Sequence, residues 1–232
     1  ALMEMLNPNI CERVIYFSTA SILDRQNQLL PQAFELGTDY IRTKYQCFTK
    51  LSQLAIAPKI ITLFPTLVFG GDTNKPYSHI SGGLPDVVKW VSLIRWFKAD
   101  ASLHFIHAQD IARVVSYLVE CPNDRILQSS DEENSLQKIV LGNPAMTANQ
   151  AIEQICAYFN QKIYVRILLS ASLTNFFIKV FRIQMDDWSY FSLTYRHFTY
   201  QNPVTPSNFG LRNYCPTIAD LMKELKIRDE GL

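Results

Sequence analysis

An α/β fold, a parallel sheet with helices on both faces, is what the 232 residues predict, and three observations carry that expectation. Two short runs of apolar and β-branched residues, Arg13–Thr19 and Lys59–Phe64, flank a long stretch of helical periodicity, Thr38–Ala57. Strand, helix and strand with so long a crossover make a unit whose strands are parallel. The composition, 48% hydrophobic with a formal charge of +1, is that of a folded globule and far from that of a disordered chain. A globule of this size buries roughly 70% of its unfolded surface, so the core needs no staples. With 22 Lys+Arg against 21 Asp+Glu there is no basic excess, and nucleic acid is not an expected partner.

The elements follow in order. Ala1–Leu6 reads as the end of a helix, stopped by Asn7-Pro8-Asn9. Arg13–Thr19 is a buried strand that opens onto a loop through its terminal hydroxyls. In Thr38–Ala57 the residues Tyr40, Cys47, Leu51 and Leu54 fall on adjoining turns, and Lys59–Phe64 is the second strand. Pro85–Lys98 reads as an amphipathic helix, Leu103–Ile106 as extended, and Asp110–Glu120 as a helix with its aspartate at the start. Lys138–Leu141 is a third strand, and Met146–Asn160 a helix with Thr147 as N-cap. Beyond about residue 163 the alternation fails until a helix at Thr217–Lys226. The expected division is therefore 1–142, with 71–103 contributing to a second lobe, and 143–232 as that smaller, mostly helical lobe. No internal repeat is visible.

Five cysteines, at positions 11, 47, 121, 156 and 215, are odd in number and widely spaced, which argues against a disulfide framework or a zinc ribbon. Neutral thiols in a reducing compartment, the cytoplasm, are the expectation. The first residues, Ala-Leu-Met-Glu-Met-Leu, do not resemble a basic signal-peptide n-region. Val165–Ile183 is the most membrane-like stretch. Its charge-free run, Ile167–Ile178, falls short of the ~20 residues a span needs. A buried or lid helix is expected there, with contact at a membrane interface as the alternative.

Tyr40-Ile41-Arg42-Thr43-Lys44 places a phenol and an ammonium one turn apart on a helix face. An ammonium beside a phenol favours the phenolate, which makes such a pair usable for acid/base chemistry. A second pair, Tyr158 and Lys162, lies in the other lobe. Context selects Tyr40, because the strand before it ends in Ser18-Thr19 and the strand after it ends in Pro65–Gly71. In open α/β sheets ligands sit at the carboxyl ends of the strands.

Tyr40-x-x-x-Lys44, Phe17-Ser18-Thr19-Ala20-Ser21, Phe64-Pro65-Thr66-Leu67-Val68-Phe69-Gly70 and Phe105-Ile106-His107-Ala108-Gln109-Asp110 occur in the order found in one family. Over residues 13 to about 120 the chain resembles the extended short-chain dehydrogenase/reductases, the NAD-dependent epimerase/dehydratase group. The resemblance implies the C-terminal part of a Rossmann-like parallel sheet plus a helical substrate lobe. It also implies an NAD(P)-dependent oxidoreductase or epimerase/dehydratase that moves a hydride to or from a hydroxyl/carbonyl substrate. Tyr40 matches the acid/base, and Lys44 matches the lysine that holds the nicotinamide ribose. Thr19, with Ser18 as second choice, matches the hydroxyl that bonds the substrate oxygen. Pro65, Thr66, Leu67 and Val68 match the loop beside the carboxamide. Asp110 is expected to cap its helix and His107 to be structural. The partners implied are NAD or NADP and a small molecule, with room for a homodimer.

Three departures accompany the matches. The family's Gly-x-x-Gly-x-x-Gly loop belongs some hundred residues before the tyrosine, and here no glycine precedes Gly37. The expectation is therefore a fragment of a longer chain or a decayed protein, inactive in isolation. The arginine that sugar-nucleotide members carry four residues before the His107 position is Leu103, and the one that often precedes the matched proline is Phe64. A nucleotide-sugar diphosphate would lose a clamp, which puts an uncharged or differently charged substrate on at least an equal footing with it. The alternative from another class is a non-catalytic dinucleotide-fold scaffold.

Overall fold

The computed structural model describes residues 2–72, 74–121, 136–170, 172–174, 178 and 184–225. The opening segment makes a single 3-10 turn at Met3–Met5, shorter than the helix end expected there. Strand β1, Val14–Phe17, is followed by helix α1, Pro31–Glu35, whose proline sits in the first turn, where its missing N–H removes no helical bond. Helix α2, Asp39–Leu51, begins where Thr38 Oγ1 accepts from Ile41 N at 3.4 Å. It stops well before Ala57, and a 3-10 turn at Ala57–Lys59 leads into strand β2, Ile60–Pro65.

Strand β3 is Leu67–Phe69, and the next helix departs from the sequence reading. Helix α3 runs His79–Lys89 with Pro85 inside it, because Ser78 Oγ caps the start by accepting from Ser81 N. Proline does not open this helix, as the reading of Pro85–Lys98 assumed. Helix α4, Val91–Ile94, and strand β4, Phe97–Lys98, take up the remainder. Strands β5, Ser102–Leu103, and β6, Phe105–His107, lead to helix α5, Ala108–Glu120. Strand β7 is Gln137–Leu141 and strand β8 Met146–Thr147, and Thr147 forms a reciprocal cap with Gln150 at the start of helix α6, Ala148–Tyr158. Ile167–Leu168 form strand β9, paired in parallel with β4, where a helix was expected; the remainder of Val165–Ile183 lies largely outside the described residues. Helix α7, Asp187–Tyr195, strand β10, His197–Phe198, and helix α8, Ile218–Glu224, complete the chain. Residues 1 and 226, at the outer ends of two expected helices, are not among the described residues.

The main sheet has the order β1-β2-β7, all parallel, with Val14 opposite Ile60 and Ile61 opposite Gln137. Side chains alternate across it, as the period of two requires. Ile60, Phe64 and Val140 pack with Ile41, Phe48 and Leu51 on the α1/α2 face. Ile61, Leu63, Ile139 and Leu141 pack with Ile111, Val114 and Leu118 of α5 on the other. Both faces are therefore covered by helices, and β2, in the middle, reads as an apolar run broken only by the buried Thr62 for that reason. A third cluster joins Phe69, Leu84, Val88 and Phe105 to Ile155 and Phe159 of α6 and Leu221 and Met222 of α8. Among the described residues no helix is long and apolar enough to cross a membrane.

Candidate active site

Strand β1 ends at Phe17, and helix α2 returns alongside that end. Tyr40 lies in the first turn of α2 and is 59% exposed, with Lys44 one turn further on. Lys44 Nζ donates to the main-chain oxygen of Phe17 at 2.7 Å, 5.8 Å from the Tyr40 ring centroid and 5.3 Å from that of Tyr16. Two phenols thus flank one ammonium. Burial, reinforced by neighbouring Cys47, pushes the Tyr16 hydroxyl up to about 12, so Tyr16 stays protonated near neutrality. Tyr40 is the phenol of the two that stands open to a ligand.

Ser18 N extends the ladder by donating to Leu63 O at 2.8 Å, which fixes Ser18-Thr19 beside the carboxyl end of β2. Ser18 is 4% exposed and its Oγ has no hydrogen-bond partner. Thr19 caps the 3-10 turn Ala20–Ile22, where Oγ1 accepts from Ser21 N at 3.3 Å. Pro65 closes β2, Thr66 Oγ1 donates to Leu141 O at 2.9 Å, and Leu67 and Val68 enter β3. The sheet therefore brings Lys44, Tyr40, Ser18-Thr19 and the Pro65–Val68 segment to one carboxyl edge.

Tyr158 and Lys162 belong to other surroundings. Tyr158 packs edge-on against Phe159 over the α6/α8 core, and the Lys162 carbonyl accepts from Arg95 Nη1 at 3.1 Å. His107, not Asp110, caps α5, with Nδ1 accepting from Gln109 N at 3.1 Å. Asp110 is 1% exposed and turns inward, where Oδ1 accepts from Tyr214 N at 2.6 Å and Oδ2 from Cys215 N at 3.1 Å. The expected cap is instead a clasp on the C-terminal loop. All five cysteines are free, and the described residues contain no cluster of three or more groups able to hold a metal.

Sequence reading missed His104, Ser21 and Tyr200, which line a cavity of about 170 Å³ with Thr66, Leu67 and Leu103 beside the same edge. His104 is 2% exposed; Nδ1 donates to Asn143 O at 2.7 Å and Nε2 accepts from Tyr200 N at 3.0 Å. That pairing fixes the neutral tautomer, and burial holds its pKa below the ordinary histidine range. Its partners are 39 and 96 residues away, so no local pattern marks it.

The residues at this edge fit one end of a nicotinamide dinucleotide. An ammonium has three donors and Lys44 commits one to Phe17, which leaves two for a bound group, whereas Ser18 Oγ is unpaired but buried. Gly37 does not serve the diphosphate end. A Cβ there would lie 2.1 Å from Ala33 O and 2.8 Å from Ile41 Cγ2, so this glycine exists to let α1 and α2 approach.

No family model and no curated protein matches the chain. Solved structures do. The chain aligns with the structure titled gox2253 over 93% of its own length and 66% of that chain, at TM-score 0.57 and 13% identity. For the GDP-mannoheptose C4 reductase of Campylobacter jejuni with NADP bound, the values are 93%, 68%, 0.53 and 10%. For the dTDP-4-dehydrorhamnose reductase of Bacillus anthracis in complex with NADP they are 92%, 65%, 0.50 and 13%. The chain thus spans about two thirds of the length of these structures and shares their Rossmann-like α/β fold.

Proposed function

We propose that this chain carries the catalytic edge of an NAD(P)-dependent oxidoreductase or epimerase/dehydratase of the extended short-chain dehydrogenase/reductase kind. The observation that supports it most is the Lys44 ammonium anchored on the Phe17 carbonyl with the exposed Tyr40 phenol beside it. NADP-bound reductases among the structural neighbours agree with it.

When bound, the nicotinamide supplies or accepts the hydride. Tyr40 passes a proton to or from the substrate oxygen as the hydride moves, so charge does not build up on that oxygen. Thr19 hydrogen-bonds the same oxygen, and Ser18 offers a second hydroxyl. Lys44 spends one donor on Phe17 and its others on the ribose hydroxyls, holding the ring close to Tyr40. The Pro65–Val68 segment flanks the carboxamide.

Isotope transfer tests this reading. NADH and NADPH carrying deuterium at the reactive nicotinamide carbon are incubated with a protein in which this chain follows a glycine-rich dinucleotide-binding segment, and with a panel of aldehydes and ketones of short to long chain. Deuterium at the carbinol carbon of a product alcohol supports the proposal, and its absence across the panel with both cofactors overturns it.

A further inference from the structure

A cavity of about 510 Å³ opens between α3 and α6, within the roughly 300–1,000 Å³ that ligand sites occupy. Its walls include Leu84, Val87, Phe97, Phe105, Ile152 and Ile155. Protein interiors rarely leave voids larger than a water, so an apolar opening of this size is a built feature. The polar lining residue Asn149 is consumed: Nδ2 donates to Ala99 O at 2.9 Å and Oδ1 accepts from Ala99 N at 3.0 Å. The other, His79, lies exposed at the rim. Gly83 also lines the wall from inside α3, where a glycine costs about 0.5–1 kcal/mol relative to alanine. A Cβ there would meet nothing within 4 Å, so packing does not require the glycine and the space beside it stays open.

The cavity adjoins the Pro65–Val68 segment of the catalytic edge through Leu67. Leu67 and Leu103 line both it and the 170 Å³ cavity beside Ala20, Ser21 and Thr66. Across the two linings Arg196 is the one lysine or arginine, and its Nε donates to Leu193 O at 2.9 Å. A third cleft of about 670 Å³ reaches Arg25 and Arg196, but Arg25 is bonded to the carbonyls of Tyr195 and His197 and Asp100 lines the same cleft. Among the described residues that line these three cavities, no uncommitted cation cluster awaits a diphosphate.

We infer that the substrate is a hydroxyl or carbonyl compound with a large hydrocarbon body, whose polar end reaches the Thr19/Tyr40 edge while its body fills the cavity between α3 and α6. The inference rests on the proposed function for which end reacts, and on the cavity alone for what the body is. Apolar-lined clefts of this size bury ligands of like character.

The test measures binding, not turnover. N-phenyl-naphthylamine fluorescence reports occupancy of the full chain, and linear methyl ketones from butanone to dodecanone compete for it. The expected result is saturable probe binding and a competition constant that falls about three- to fourfold per added methylene until the cavity is full. Gly83→Phe fills the space with little strain and should weaken dodecanone at least about tenfold while leaving butanone unchanged. Val87→Arg, at a position already 38% exposed, should do the same and guards against misfolding of the first variant. A flat dependence on chain length, retention of dodecanone by both cavity variants, or displacement of the probe by UDP and not by ketones would each overturn the inference. Ketones that bind as expected while deuterium transfer fails would sink the oxidoreductase reading and leave the pocket standing.

Discussion

The Lys44 ammonium and the Phe17 carbonyl oxygen lie 2.7 Å apart, so one side chain ties helix α2 to the last residue of strand β1. The tie crosses 27 residues of sequence and sets where Tyr40 stands against the sheet edge. Lys44→Met should therefore lower unfolding free energy by about 1 kcal/mol, the net worth of such a bond at a partly solvated site. Lys44→Arg, which keeps a donor, should lose less. Urea denaturation of the three proteins measures this, and equal midpoints would show that the tie carries no energy.

Asp110 holds the Tyr214–Cys215 turn through two main-chain N–H groups from a position that is 1% exposed. Asn at 110 keeps one acceptor and turns an NH₂ toward the other donor. Asp110→Asn should cost about 2 kcal/mol and Asp110→Ala more. Amide hydrogen exchange at Tyr214 and Cys215 should speed up before the rest of the core does. Unchanged protection at those two amides would contradict the clasp.

Burial lowers the pKa of both His104 and His107 below the usual value near 6.5. The unfolded chain then binds protons that the folded chain refuses. Their stabilisation is fully present above about pH 6.5 and is lost as pH falls through the folded-state values. Unfolding free energy should be higher at pH 7.5 than at about 5.5. His107→Asn keeps a capping side chain and should flatten part of that slope. A wild-type stability that rises on acidification would rule this account out.

Gly37 is crowded by Ala33 O and Ile41 Cγ2, at 2.1 and 2.8 Å from any added Cβ. Gly37→Ala must push α1 and α2 apart, at a cost of about 1–3 kcal/mol. Because α2 carries Tyr40 and Lys44, turnover should fall with stability, whereas Gly82→Ala, in open space, should leave turnover intact. Comparing the two by thermal unfolding and turnover separates crowding from a general effect of alanine.

What the sequence disclosed follows distance along the chain. Val14–Phe17 and Ile60–Pro65 stood out because β2, with helices on both faces, is apolar but for Thr62, and Thr147 stood out because a cap acts over three residues. Pro85 misled because proline usually opens a helix, while Ser78 had already capped this one. Asp110 misled because a first-turn aspartate looks like a cap until a loop 104 residues away claims it. The cavity between α3 and α6 was out of reach for the same reason: its walls run from Leu67 to Ile218. Leu103 was visible as a departure, but only the fold makes it part of the lining of both cavities.

The central claim is that Tyr40 is the acid/base, and the direct measurement is the rate of cofactor oxidation by Tyr40→Phe beside the wild type. The most reactive carbonyl of the panel serves as substrate, at saturating NADH or NADPH. Phenylalanine keeps the ring and removes the proton, so kcat should fall at least ~10²-fold while circular dichroism stays unchanged. A Tyr40→Phe enzyme within twofold of the wild type would contradict the account.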